Sequence, residues 1–339
     1  MERRRFNKRK AGRIAVALGL GVALGTFAPP PDDALPPRAL PGGARMLVEA
    51  VPLDAHDPAR RRVGALAFVA GYRLRSHDRR FGGISAIYIE AGEVVALSDA
   101  GTAFRFPVPT GAGEAPLAIM RLPKGPGTGR RKSDRDAESL VVRGRTAWIG
   151  YEGRNAVWRY RLPDWTFEAA AAPQAMRDWP NNGGGEAMVR LADGRFIVFS
   201  EGEEEGGPGA TTPALLFPRD PALQPSEPLP IRYKPPEGHR VTDAALLPDG
   251  RILFLNRRVS LFDGVSAILS VAPAPAAIRR EAVLEARAIA TLAAPLTVDN
   301  MEALSVTREG RRTILWIASD DNLNPLLQQT LLLKFALEE

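Results

Sequence analysis

The sequence predicts an all-β fold, and within that class a β-propeller with five blades or, as the alternative, six. The first observation is a repeated unit, because two short apolar runs joined by a tight turn occur five times along the chain. The second is the spacing of this unit, since its anchor residues follow one another at intervals of 48–59 residues. The third is the lack of helical periodicity within the units, which leaves strands and turns. Strand repeats of this length are typical of propellers.

The clearest repeat unit lies between Glu186 and Glu201. Its two apolar runs, 187–191 and 196–199, flank an Asp-Gly pair, which is a turn signal typical of a β-hairpin. A hairpin returns the chain to its starting end, so both glutamates are expected at the same end of the strand pair. The other four units carry their anchors in the same order: Ser85 and Asp99, Glu138 and Glu152, Asp243 and Arg257, Glu302 and Asp320.

Further apolar segments complete about four strands in each unit except the last. That unit ends with the run 329–337 and lacks a fourth strand. We expect the N-terminal segment 65–74 to supply it, because pairing of the two chain ends closes the ring and leaves no open sheet edge. A sixth, degenerate blade built from the N-terminal segment is the alternative.

The N-terminal region predicts export. Residues 1–28 combine a twin-arginine-like stretch at 3–8 with an apolar run shorter than the ~20 residues of a membrane span. Residues 29–45 form a Pro-rich tether, and residues 46–339 form the propeller domain. We therefore expect a periplasmic protein with no membrane span in the mature chain. An uncleaved N-terminal anchor is the alternative.

Charge and composition exclude several classes of protein. The formal net charge of +6 belongs to residues 1–28, with seven Lys or Arg and one acid, so the remainder is close to neutral. A neutral propeller is not expected to bind nucleic acid. The chain has no cysteine, which excludes disulfides and thiolate nucleophiles or metal ligands. The mature length of about 300 residues suits one large β domain, which we expect to be a monomer.

Carboxylates at the repeat anchors predict a metal site. In a propeller the entry of the innermost strand and the end of the second strand meet on one rim, near the axis. Crowded carboxylates repel one another unless a cation or proton intervenes, and oxygen ligands without thiols favour Ca²⁺ or, second, Mg²⁺. The alternative is that these acids cap strand ends and bond backbone amides or Arg257. The predicted metal ligands are Glu138, Glu186, Asp243, Glu302, Asp99, Glu152, Glu201 and Asp320.

Other polar residues are candidates for catalysis or substrate binding. Arg257 is predicted to stabilise developing negative charge, and His239, just upstream of Asp243, to line the same rim; a surface histidine is the alternative. Arg130 and Arg131 lie in a basic loop that attracts anionic substrates if it is ordered, and a mobile, solvated loop is the alternative. Asn182, at the start of the glycine-rich stretch before Glu186, is the remaining candidate for substrate binding.

A series of motifs in order along the chain resembles the phytase-like propeller family, described as "esterase-like activity of phytase". The resemblance covers about residues 65–337. It departs from the family pattern at Asn256, where an acid often precedes the arginine, and at Ala86, where a glycine is expected. The motifs lie at 81–86, 97–101, 136–140, 182–186, 246–257, 300–304, 319–322 and 329–330.

The resemblance implies an exported bacterial propeller that is a metal-dependent phosphoester or ester hydrolase. Its partner would be a small anionic or ester substrate, and its cofactor a Ca²⁺-type cation. Two alternatives stay open because a fold does not determine a function. One is a non-catalytic ligand-binding propeller of the cell envelope. The other is a lactonase-like hydrolase of sugar acids, which would use an axial Ca²⁺.

Overall fold

The computed structural model describes residues 43–127, 134–180, 183–202, 209–223, 227–260, 263–273 and 279–338. These residues form β-strands, short 3-10 helices at Glu152–Arg154 and Gln174–Met176, and connecting turns, with no α-helix in the same residues. Consequently none of this part of the chain offers a helix that could span a membrane. The predicted export signal at 1–28 and most of the predicted tether lie outside the described residues.

Most strands belong to antiparallel four-stranded blades. Each blade starts with an innermost strand and runs outward, as the alternating apolar runs and tight turns of the sequence require. The N-terminal strands are β1 (Ala44–Ala50), β2 (Arg62–Val63) and β3 (Leu66–Ser76). Blade 1 contains β4 (Ile84–Glu90), β5 (Glu93–Ser98), β6 (Thr102–Pro107) and β7 (Gly113–Arg121), and blade 2 contains β8 (Ala137–Arg143), β9 (Thr146–Tyr151), β10 (Ala156–Arg161) and β11 (Thr166–Ala171).

The three remaining blades follow the same plan with small additions. Blade 3 has a fifth, parallel strand, and in blade 5 the outer strand comes from the N-terminal segment. Blade 3 contains β12 (Gly185–Arg190), β13 (Phe196–Ser200), β14 (Thr212–Phe217), β15 (Leu229–Lys234) and the added strand β19 (Val283–Glu285). Blade 4 contains β16 (Arg240–Leu246), β17 (Ile252–Ser260), β18 (Gly264–Ala272) and β20 (Arg287–Ala293). Blade 5 contains β21 (Met301–Glu309), β22 (Arg312–Ser319), β23 (Thr330–Leu337) and β3.

The innermost strands close a ring. In the described residues β4, β8, β12, β16 and β21 each contact the next, and β21 contacts β4 again. This arrangement confirms the β-propeller and its five blades. A sixth blade, the alternative, is not formed by the described residues, because those of the N-terminal segment add β1 and β2 to existing sheets instead of making a new one.

Pairing of the two chain ends closes the molecule as predicted. β23 pairs antiparallel with β3 from Thr330 opposite Leu74 to Leu337 opposite Leu66. β1 then lies between β3 and β7, so blades 5 and 1 share one continuous sheet. The outer edge that would otherwise be open between the first and last blades is thus hydrogen-bonded on both sides.

The core consists of apolar side chains packed between neighbouring blades. Innermost strands are buried on both faces, and β12 shows this with every residue except Arg190 buried. Aromatic rings fill the space between blades 3 and 4, where Phe254 stacks on Tyr233 and meets Phe199 edge to face. This packing fixes the ends of the inner strands, which carry the site.

Candidate metal centre

A β-bulge near the start of each innermost strand positions the first set of site residues. The bulge inserts one residue opposite the neighbouring strand, between Ala137 and Ser139 in blade 2 and at the same place in every blade. Bulges re-aim a side chain and often occur beside active sites. The bulged residues are Ser85, Glu138, Glu186, Thr242 and Glu302.

The register corrects the predicted equivalence of Asp243 with Glu138, Glu186 and Glu302. Thr242 is the bulged residue of blade 4, and Asp243 is the next residue. Because successive side chains of a strand point to opposite faces, the Asp243 side chain is on the other face from that of the bulged residue. Its carboxylate accepts the Ala244 N–H at 2.7 Å and the Leu304 N–H at 2.7 Å. Asp243 therefore joins blade 4 to blade 5, and the sequence missed this because a bulge leaves no signal in the apolar pattern.

The second set of site residues directly follows the second strand in blades 1, 2, 3 and 5. It includes the predicted residues Asp99, Glu152, Glu201 and Asp320, all buried. In blade 4 the equivalent position holds the predicted Arg257, which replaces an acid by a cation. The expected convergence of strand entries and strand ends on one rim is observed for these positions.

The most acidic part of the rim belongs to blades 2 and 3. Carboxylate oxygens of Asp136, Glu138 and Glu152 lie within 4.8 Å of one another. Glu138 and Glu152 are buried, and Asp136 is half-buried. The Glu152 carboxylate also accepts the Gly183 N–H and shares a hydrogen bond with the Glu186 side chain. We call Asp136, Glu138, Glu152 and Glu186 the acidic quartet.

Burial and mutual repulsion raise the pKa values of three members of the acidic quartet, Glu138, Glu152 and Glu186. Burial, followed by the charge of Glu186, raises the pKa of Glu138 well above its usual range. Burial, followed by the charges of Glu152 and Glu201, does the same to the pKa of Glu186. Burial raises the pKa of Glu152 to about 7, although its hydrogen bond with Glu186 opposes the shift. A bound cation would neutralise the same charges.

Arg257 neutralises the opposite part of the rim. Its Nη2 donates to Glu201 Oε1 at 3.0 Å, and its Nη1 donates to Asn300 Oδ1 at 2.6 Å and to the Glu302 carboxylate. Asn300 Nδ2 also donates to Glu302 Oε1 at 2.8 Å. Burial lowers the pKa of Arg257, but Glu302 and Glu201 more than reverse this and raise it above its usual range. The predicted alternative, in which the acids bond Arg257, thus describes Glu201 and Glu302.

Blades 5 and 1 contribute a third acidic group. Burial, followed by the charges of Asp99 and Glu302, raises the pKa of Asp320 well above its usual range. Asp320 Oδ1 accepts the Asn322 N–H at 2.6 Å. The neighbouring Asp321 has a structural role, because it accepts the N–H groups of Gly83 at 2.8 Å and Leu323 at 3.1 Å.

Of the remaining predicted site residues, His239 makes its hydrogen bonds to other groups than these carboxylates, and the others are not described. His239 is buried, and its ring nitrogens lie 3.0 Å from the Glu237 carbonyl oxygen and 3.1 Å from Ser266 Oγ. These partners are not rim carboxylates. Because His239 is only 7% exposed, the alternative of a surface histidine is wrong. Asn182, Arg130 and Arg131 lie outside the described residues.

Two further polar positions of the rim were not among the residues predicted from the sequence. Asp136 and Asn300 each precede a bulged glutamate by two residues, and their carbonyl oxygens accept the N–H groups of Glu152 and Asp320. The period of a strand sends residues two apart to the same side, so the pattern acid-x-Glu or Asn-x-Glu was an available signal. Asp136 and Asn300 thus each add a second polar side chain to the rim, beside Glu138 in blade 2 and Glu302 in blade 5.

The donor chemistry of the acidic quartet fits a hard divalent cation. All of its ligand atoms are carboxylate oxygens, and the described residues bring no histidine to them by any hydrogen bond. Ca²⁺ and Mg²⁺ prefer such oxygen ligands. Burial and the neighbouring negative charges raise the pKa values of Glu138, Glu152 and Glu186, as expected for crowded acids without a cation among them.

Comparison with known proteins agrees with the motifs. The chain is similar to the glutaminyl cyclase of Myxococcus xanthus, with 12% identity over 80% of this chain and 95% of that chain and a TM-score of 0.47. It is also similar to the major Malassezia sympodialis allergen Mala s 1, with 11% identity over 81% and 91% and a TM-score of 0.41. No curated protein matches it. The family model "Phytase-like: Esterase-like activity of phytase" matches residues 79–323, and the chain therefore belongs to the phytase-like family.

Proposed function

We propose that this protein is a hydrolase of phosphoester or carboxylic ester bonds whose activity depends on a divalent cation, with Ca²⁺ the first choice. The observation that carries the proposal is the cluster of carboxylate oxygens from Asp136, Glu138 and Glu152 within 4.8 Å of one another. Such a cluster costs free energy unless it binds a cation or protons. Membership of the phytase-like family supports the same class of reaction.

The residues of the rim have separate roles in this proposal. Asp136, Glu138 and Glu152 would hold the cation, which as a Lewis acid polarises an ester or phosphoryl oxygen and activates water. Glu186 shares a hydrogen bond with Glu152, and burial together with the charges of Glu152 and Glu201 raises the pKa of Glu186. Arg257 is fixed by Glu201 and Glu302, so it acts through its positive charge and favours anionic groups near the axis.

Hydrolysis assays test the proposal directly. Purified mature protein would be assayed with p-nitrophenyl phosphate, p-nitrophenyl acetate and δ-valerolactone, each with Ca²⁺ and with a chelator. We expect hydrolysis of at least one ester with Ca²⁺, loss with the chelator, and at least a hundredfold loss of kcat/KM in Glu138→Gln. Asp243→Asn is the matched control, since it makes the same change of group outside the acidic quartet. Hydrolysis that the chelator leaves unchanged would contradict metal dependence.

A non-catalytic ligand-binding propeller is the second candidate function. The observation that favours it is the full engagement of Arg257 by Glu201, Glu302 and Asn300, because structural ion-pair networks also look like this. In that case the protein would bind Ca²⁺ but hydrolyse none of the three substrates.

Export to the periplasm is a further part of the proposal. It is supported by the basic residues and apolar run within residues 1–28. Fractionation of the producing cells, with N-terminal sequencing of the recovered protein, tests it. Recovery of a cytoplasmic protein that retains Met1 would contradict export.

A further inference from the structure

An uncharged loop with two exposed leucines connects the last two strands of blade 5. The segment 322–329 between β22 and β23 contains no charged residue. Leu326 is 93% exposed and Leu327 is 64% exposed, more than any other large apolar side chain of the described residues. Adjacent apolar side chains at this exposure mark an interaction site more often than scattered single ones do.

Hydrogen bonds hold this loop in one shape. The Asn324 N–H donates to the Asp321 carbonyl oxygen at 2.7 Å, and the Gln328 N–H donates to the Asn324 carbonyl oxygen at 3.1 Å. Asn322 Nδ2 donates to Gln328 Oε1 at 3.1 Å across the base of the loop. The two leucines lie inside the turn that these bonds close, so their exposure results from an ordered backbone.

The loop borders the rim that carries the carboxylates. Its first residues follow Asp320, and Asp321 accepts the Gly83 N–H at 2.8 Å. A methyl group at Gly83 would lie 2.8 Å from Asp99 Oδ1 and 3.6 Å from Leu323 Cγ. Gly83 thus lies between the rim carboxylate of Asp99 and Leu323, near the start of the loop. The start of the loop therefore borders the part of the rim formed by Asp99 and Asp320.

The size of the apolar surface limits what can occupy it. A stable protein dimer buries roughly 800 Å² on each partner, far more than two side chains provide. Stable membrane anchoring takes two signals such as lipid chains or a basic patch, and this loop is uncharged beside an acidic rim. A short aliphatic chain matches two leucines in both area and chemistry.

We infer that Leu326 and Leu327 form a subsite for the aliphatic part of a substrate whose ester group lies at the carboxylate rim. The inference rests on the proposed function and narrows it to esters with an apolar chain. Hydrolysis of such an ester adds water across the acyl C–O bond and yields a carboxylic acid and an alcohol. The chain stays on the acid or the alcohol, so the leucines affect binding and not the chemical step.

The test compares ester substrates of different acyl chain length on the wild type and the double variant Leu326→Ser/Leu327→Ser. The readout is the ratio of kcat/KM for p-nitrophenyl octanoate to that for p-nitrophenyl acetate, with Ca²⁺ present. We expect this ratio to fall about tenfold, as expected for the loss of one to two buried apolar contacts. Leu223→Ser is the matched control, because Leu223 is 46% exposed in the connection between β14 and β15, at the other end of the propeller. An unchanged ratio in the double variant would overturn the inference.

A binding measurement separates this inference from the proposed function. The probes are 2-nonanone, which carries an octanoyl group and cannot be hydrolysed, and acetone, observed by ligand NMR. We expect the wild type and Leu223→Ser to prefer 2-nonanone and the double variant to lose the preference. That result in a protein without hydrolase activity would keep the subsite and reject the hydrolase. Equal binding of both ketones to the wild type, or membrane or self-association that the double variant abolishes, would reject the subsite.

Discussion

Glu138 lies where a carboxylate is unfavourable unless something neutralises it. It is only 8% exposed, and its nearest charged neighbours are Glu186, Asp136 and Glu152. The bulge that places it also removes the option of turning toward solvent, because the inner strand is packed on both sides. The residue must therefore keep a proton or share a cation.

Substitution of Glu138 by glutamine separates these two states. The amide has the same shape and no charge, so in chelator at pH 8 the Glu138→Gln variant should melt at a higher temperature than the wild type. The gain should be on the order of 1 kcal/mol, a usual size for one removed buried charge conflict. Melting followed by circular dichroism measures it. A lower melting temperature in chelator would show that the carboxylate stabilises the protein without metal.

Asp243 should respond in the opposite way to the same change of group. It accepts two backbone N–H groups, and an asparagine can accept only one of them through its oxygen. The Asp243→Asn variant should lose about 1–3 kcal/mol of unfolding free energy, the cost of an unsatisfied buried donor. Its stabilisation by Ca²⁺ should equal that of the wild type. Loss of the Ca²⁺ effect would return Asp243 to the metal ligands.

At the scale of the element, closure by β23 and β3 is the feature on which the whole ring depends. Phe335 of β23 is fully buried and meets Phe68 of β3 edge to face, with 5.6 Å between the ring centroids. Phe335→Ala should cost about 3–5 kcal/mol, measured by urea unfolding. Leu337→Ala, at the half-buried end of the same strand, is the control and should cost clearly less. Equal losses would mean that the strand pairing does not depend on this buried contact.

The hairpins of the propeller could be predicted from the sequence, and the exact positions of its side chains could not. Each blade shows two apolar runs and a glycine turn, and these local signals fix strands and their order. The bulge at Thr242 depends on the partner strand, so a one-residue shift placed Asp243 in the wrong set. Ion pairs such as that of Arg257 with Glu201 join different blades, and no local pattern indicates them.

At the scale of the whole molecule, the raised pKa values predict an unusual dependence of stability on pH. For Glu152 the pKa rises from 4.5 to about 7, so the folded state binds its proton more tightly than the unfolded state. This stabilisation is complete below pH 4.5 and is lost as the pH rises through about 7. In chelator the melting temperature should therefore fall from pH 5 to pH 8. Ca²⁺ should weaken this fall, since it replaces the proton.

Melting curves recorded at half-unit steps of pH check this expectation. The Glu138→Gln variant should show a smaller fall from pH 5 to pH 8 than the wild type, because one of the coupled acids is missing. A melting temperature in chelator that rises steadily over this range would contradict the raised pKa values of Glu138, Glu152 and Glu186.

We expect the rim near the axis to bind a divalent cation through Asp136, Glu138 and Glu152. The most direct measurement is calorimetric titration of metal-free protein with Ca²⁺ at pH 7.5, performed on the wild type, Glu138→Gln and Asp243→Asn. We predict saturable binding to the wild type and Asp243→Asn and at least tenfold weaker binding to Glu138→Gln. At 100 times the dissociation constant, Ca²⁺ should also stabilise the wild type by ~2.7 kcal/mol. Absence of binding to the wild type, or equal binding to all three proteins, would contradict the claim.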